Sequence, residues 1–98
     1  MLEAYIEQKG SKLVKEQGGF YLKLSALRFA GLPDRLVLLK HAVLAFIEVK
    51  KDGGVLSPKQ IHVHKKLKAL GFRVYTVFSH DELFTVIQKL VKESDARA

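Results

Sequence analysis

The sequence predicts one α/β domain. Three observations carry that expectation: helical and strand periodicities alternate along the chain, glycines and a Ser-Pro step fall between them, and 98 residues suffice for one core and no second lobe. With 48% hydrophobic and 28% charged residues, the composition is that of a chain that folds.

Leu2, Ile6, Leu13 and Val14 recur at helical spacing between Leu2 and Gln17, interrupted only by Gly10, and Gly18-Gly19 ends the run. This reads as an amphipathic first helix. Phe20 to Leu24 is short, aromatic and apolar, which predicts a strand, and a loop with Gly31 and Pro33 follows. Asp34 to Leu39 and Val43 to Val49 are dense in Leu and Val and are joined by Lys40-His41-Ala42, the pattern of a β-hairpin. Lys51-Asp52-Gly53-Gly54 breaks that pattern. Ser57-Pro58-Lys59-Gln60 then has Ser at an N-cap, Pro at the first helical position and Gln where a capping box needs it, so a helix should run to about Leu70 and be capped by Gly71.

Phe72 to Phe78 predicts the fourth strand. Ser79 and Glu82 repeat the capping spacing, and Leu83, Val86, Ile87, Leu90 and Val91 recur at three- and four-residue steps. The last helix should therefore reach about Lys92, with Glu93 to Ala98 fraying. Strands one to three should form an antiparallel meander, and the helical crossover should lay the fourth parallel to one of them.

The absence of cysteine excludes disulfides, thiolate zinc sites and a cysteine nucleophile. The N-terminal stretch is acidic where a signal peptide is basic, and no apolar run approaches the ~18 residues that span a bilayer, so the expected setting is cytoplasmic and away from membranes. A net charge of +7 with a pI near 9.8 favours polyanionic partners, nucleic acid first among them.

Side chains alternate along the third strand, so Ala45, Ile47 and Val49 face one way and Phe46, Glu48 and Lys50 the other. A carboxylate and an ammonium thus share one face of an otherwise apolar strand. Asp34, just after Pro33, starts the adjacent hairpin strand and can come opposite the Glu48 end of its partner. Two converging carboxylates suit Mg²⁺ or Mn²⁺, and a nearby lysine can orient a water or stabilise developing negative charge, which are the parts that phosphodiester hydrolysis requires. The competing reading is an exposed Glu48–Lys50 ion pair worth about 0–1 kcal/mol, with Asp34 merely opening a turn.

Taken together, Ile6-Glu7, Gly18-Gly19, Gly31-Leu32-Pro33-Asp34-Arg35, Phe46-Ile47-Glu48-Val49-Lys50, Gly53-Gly54-Val55-Leu56-Ser57-Pro58-Lys59-Gln60 and Leu70-Gly71-Phe72-Arg73-Val74 resemble the VRR-NUC (virus-type replication-repair nuclease) domains of the PD-(D/E)XK nuclease superfamily. The resemblance spans nearly the whole chain and implies a single nuclease domain over 1–98 with a restriction-endonuclease-like core. It makes Asp34 and Glu48 the principal metal ligands with the Val49 backbone carbonyl as a third, and Lys50 the catalytic lysine. Glu7 resembles the family's first-helix acidic residue, reaching the metal directly or through water; Glu3 lies one turn away. Gln60 matches the glutamine that opens the helix after the motif strand, although a capping box with Ser57 would use it as well. Arg35, Lys51 and Lys59 are candidate DNA contacts.

Stand-alone members of this family are similar in being short and are associated with homodimers that cut branched DNA such as four-way junctions. The resemblance therefore implies an Mg²⁺- or Mn²⁺-dependent endodeoxyribonuclease, a homodimer, branched DNA as substrate, and a bacterial host cytoplasm, the gene being of a kind suited to a phage. Linear, flapped or nicked DNA would be served by the same residues, and a non-catalytic basic DNA-binding module is the alternative from another class.

His62 and His64 lie roughly 200° apart around a helix and cannot chelate one ion. His64, one turn beyond Gln60, could reach the substrate groove but is expected to be solvated, and His41 and His80 to sit in connections without a role. Gly53-Gly54 lacks the Lys-Ser/Thr of a phosphate-binding loop and reads as a flexible turn.

Overall fold

The computed structural model describes residues 2–98, with side chains from Ala4 onward. Helix α1 (Leu2–Glu16) leads into strand β1 (Phe20–Lys23) and a short 3₁₀ turn (Leu24–Leu27). The hairpin β2 (Arg35–Leu39) and β3 (Val43–Val49) follows, then α2 (Pro58–Ala69), β4 (Arg73–Val77) and α3 (His80–Ala96). The strands lie in the order β1-β2-β3-β4; the first two pairings are antiparallel and β3-β4 is parallel, as a helical crossover requires. Among the described residues no helix is long and apolar enough to cross a membrane.

One face of the sheet makes the core. Val37, Ala45, Ile47 and Val77 meet Val14 of α1 and Leu83, Ile87, Leu90 and Val91 of α3. Gly10 explains itself here, because a Cβ at that position would stand 2.7 Å from Ile87 Cδ1; the interruption in the helical pattern is where α1 packs tightly on α3. Helix α2 lies on the opposite face, where Val63 and His64 are buried.

Two boundaries differ from expectation. The first strand stops at Lys23: the Leu24 N–H still donates across the ladder to the Asp34 carbonyl at 2.7 Å, but from Leu24 the chain winds into the 3₁₀ turn where an open loop is expected. The last helix does not end near Lys92; it continues to Ala96. Ser94 is buried and its hydroxyl donates to the Lys40 carbonyl at 2.9 Å, while Glu93 is held between Arg73 and Arg97. Lys40 belongs to the hairpin turn and Arg73 to β4, so a local reading of a charged tail misses them.

Candidate active site

The site forms where β3 ends beside β2 and α2. Ile47 is in the core, so the next residue, Glu48, turns to the other face, where its side chain is only 2% exposed. The strand is interior, between β2 and β4, and the exposed ion-pair reading of Glu48 and Lys50 therefore fails. Arg35 pairs with Ile47 across the hairpin, which brings Asp34, one step earlier, to the Glu48 end of β3. The Val49 N–H donates to Asp34 Oδ2 at 2.9 Å, fixing that carboxylate against the strand while leaving it 39% exposed.

Burial and the adjacent Asp34 carboxylate push the Glu48 carboxyl up to about 7, and the charges of Lys50 and Arg35 only partly oppose this. Glu48 Oε1 is buried without a hydrogen-bond partner. A close pair of acceptor-only groups with an orphaned buried oxygen is a donor set that fits a hard divalent cation, since such a cation removes both the repulsion and the unmet demand. Among the described residues no three His, Cys, Asp or Glu side chains are arranged to hold a metal.

Helix α2 reaches Glu48 through two side chains. Gln60 serves two purposes at once: its Oε1 accepts from the Ser57 N–H at 2.9 Å as half of a capping box, and its Nε2 donates to Glu48 Oε2 at 3.4 Å. His64 is not solvated as expected. It is 4% exposed, and its Nε2 lies 3.6 Å from Glu48 Oε1. Burial and Lys68 lower its pKa, which Asp34 partly offsets.

Beside the two carboxylates is an open cleft lined by Lys23, Ser25, Asp34, Arg35, Val49 and His80. Glu7 projects toward it from α1 and is held by three basic groups: Lys23 Nζ at 2.8 Å, Arg35, and His80 Nε2 at 3.3 Å. Burial alone would raise the Glu7 pKa, but the Lys23 and Arg35 contacts outweigh it and bring it below the ordinary value. Arg35 also stands 4.0 Å from Asp34, so it links Glu7 to the carboxylate pair. Arg35, a candidate DNA contact, lines this cleft but is mostly buried and paired with Glu7. His80 is a correction, since it has a partner in Glu7. The rival acidic residue Glu3 lies outside the described side chains.

Lys50 follows β3, its N–H donating to the Val77 carbonyl at 2.8 Å, and it is half-buried; Lys51 and Lys59 are exposed. The sequence offers no sign of a role for His80, and for His64 only its one-turn spacing from Gln60. The i,i+4 relation of His64 to Gln60 placed both on one helix face, and His80 follows a strand whose Val77 pairs with Val49. Neither signal acts until α2 and β4 are placed over β3.

No family model matches the chain. The protein called Putative nuclease p44, from Acyrthosiphon pisum secondary endosymbiont phage 1, is 35% identical over 79 residues, which are 81% of this chain and 85% of that protein. A solved VRR_NUC domain is similar with a TM-score of 0.67 at 30% identity, over 92% of this chain and 94% of that one.

Proposed function

From the chain's membership of the VRR-NUC domain family, we propose that this nuclease is a metal-dependent endonuclease that hydrolyses phosphodiester bonds in DNA, with Asp34, Glu48 and Lys50 at its centre. The observation that supports this most is the buried carboxylate of Glu48, raised in pKa beside Asp34 and left with an unpartnered oxygen. Asp34, Glu48 and the Val49 carbonyl would hold Mg²⁺ or Mn²⁺, which supplies charge neutralisation at the phosphate and a more acidic water.

The chain's own groups have distinct tasks. Asp34 keeps its carboxylate toward the cleft because the Val49 N–H holds Oδ2. Lys50, whose charge reaches Glu48, places a proton donor and a positive charge where negative charge develops on the phosphate oxygens. Glu7, held by Lys23, Arg35 and His80, closes the cleft on the α1 side and acts on the site through solvent. Gln60 steadies Glu48 from α2. The exposed lysines Lys51 and Lys59 make phosphate contacts along the substrate.

The protein works as a homodimer on branched DNA, in the cytoplasm of a phage-bearing bacterial host. Support for a dimer comes from the sheet face that carries Phe20, Leu38 and Leu44 in one register row and Leu22, Leu36 and Phe46 in the next. These rows contain no charge, α2 packs on β4 and over the Glu48 end of β3, and Phe20 is 63% exposed. Two-fold pairing would present two sites to a symmetric junction. Labelled four-way junction, matched linear duplex, flap and nicked substrates incubated with Mg²⁺, Mn²⁺ or EDTA test the reading: junction cleavage that needs metal is expected. Equal cutting of linear duplex and junction would remove the branched-DNA assignment, and binding without cutting under every condition would make the protein a DNA-binding module.

A further inference from the structure

Glu48 Oε1 and His64 Nε2 are both buried, both without a hydrogen-bond partner, and 3.6 Å apart. Two orphaned polar atoms cost about 1–3 kcal/mol each if nothing satisfies them. With its proton on Nε2 the imidazole can donate to one lone pair of Oε1 and leave the other for a cation. The other oxygen of the same carboxylate is already approached by Gln60 Nε2 at 3.4 Å. Gln60 and His64 stand four residues apart on α2, one turn along the same face.

We propose that His64 is a positioning residue for Glu48: with its proton on Nε2 it donates to Oε1 while Gln60 donates to Oε2, so that two successive turns of α2 fix the carboxylate from both sides. The arrangement has a built-in direction. The capping box turns the Gln60 amide so that its oxygen faces Ser57 and its NH₂ faces Glu48. Helix α2 is tied in turn to the Asp34 segment, because a Cβ at Gly31 would stand 2.7 Å from both the Lys59 carbonyl and Val63 Cγ2. The helix that orients Glu48 thus also seats the loop that delivers Asp34. A carboxylate free to rotate at the base of a buried pocket would lose the ionised rotamer needed for a cation, and groups that orient ligands in this way typically change metal affinity about 10- to 100-fold when removed.

This inference rests on the metal-dependent reading, and its test separates the two. The imidazole ¹⁵N spectrum of the metal-free protein in alkaline buffer should show His64 as the Nε2–H tautomer, with shifts that move in Glu48→Gln; an Nδ1–H tautomer, or no response to Glu48→Gln, overturns the proposal. In parallel, Mn²⁺ binding by calorimetry and thermal stability are compared among wild type, His64→Leu, His64→Gln and His64→Asn. Glutamine places an N–H near the Nε2 position, whereas asparagine reaches only the Nδ1 position. Expected is weakening of Mn²⁺ binding by about 10- to 100-fold in His64→Leu and His64→Asn, with recovery in His64→Gln and no matching order in thermal stability. Wild-type affinity in His64→Leu, or losses that follow stability alone, overturns it. A wild type that binds no Mn²⁺ defeats the metal reading instead, and the tautomer then decides the Glu48 contact by itself.

Discussion

Asp34 and Glu48 differ in what surrounds them, and their substitutions should differ accordingly. In Asp34→Asn the amide oxygen can still accept from the Val49 N–H and the repulsion on Glu48 is relieved, so the fold should persist and melt no lower than wild type, while loss of the charge lowers cleavage by about 100-fold or more. Retained metal-dependent cleavage would count against Asp34 as a ligand. Lys50→Ala should slow cleavage by about 100- to 1000-fold and leave DNA affinity nearly unchanged, since one cation among many contributes little to binding; loss of binding with normal turnover would make it a phosphate anchor. Glu48 also sets a pH dependence. Its folded pKa of about 7 lies above the ordinary 4.5, so the folded metal-free protein binds the proton more tightly than the unfolded chain does. The associated stability is fully present below pH 4.5 and is lost as pH rises through about 7. Mn²⁺ must displace that proton, so its apparent affinity should fall about tenfold per pH unit below about 7; urea melts and calorimetry across pH check both signs. The proximity of Asp34 to Glu48 was legible in the sequence because hairpin register is local arithmetic. The burial of His64 and the pairing of His80 with Glu7 were not, because they depend on how α2 and α3 pack on the sheet.

At the scale of elements, the segments that carry their own instructions were readable. Ser57-Pro58-Lys59-Gln60 states the start of α2 by capping chemistry alone, and the hairpin follows from two dense Leu and Val runs. The end of α3 was hidden, since Ser94 bonds to Lys40, a partner far away in the chain. The hairpin turn holds His41 and Ala42 at φ of 63° and 61°, a region unfavourable to residues with a Cβ. Ala42→Gly should therefore stabilise the protein by about 0.5–1 kcal/mol in urea melts without affecting the site. Gly31→Ala should do the opposite. Its φ of +90° and its contact with the Lys59 carbonyl predict a loss of about 1–3 kcal/mol, together with slower cleavage, because the displaced loop carries Asp34.

At the scale of the molecule, the sheet divides the labour between its faces. One is sealed by α1 and α3 as the core; the other holds Glu48 beneath α2 and leaves an uncharged apolar surface on β1, β2 and β3. A second copy on that surface is expected to give a dimer by light scattering, and Phe20→Glu, which alters an exposed side chain on an edge strand, should yield monomers that remain folded. A wild type that is monomeric at all concentrations would contradict the dimer. The central claim concerns the carboxylate pair, and cleavage of a labelled four-way junction by wild type beside Glu48→Gln, with Mg²⁺, Mn²⁺ or EDTA, tests it most directly. The account predicts cutting by wild type with either metal, none with EDTA, and none by the variant; undiminished cutting by Glu48→Gln, or cutting in EDTA, would contradict it.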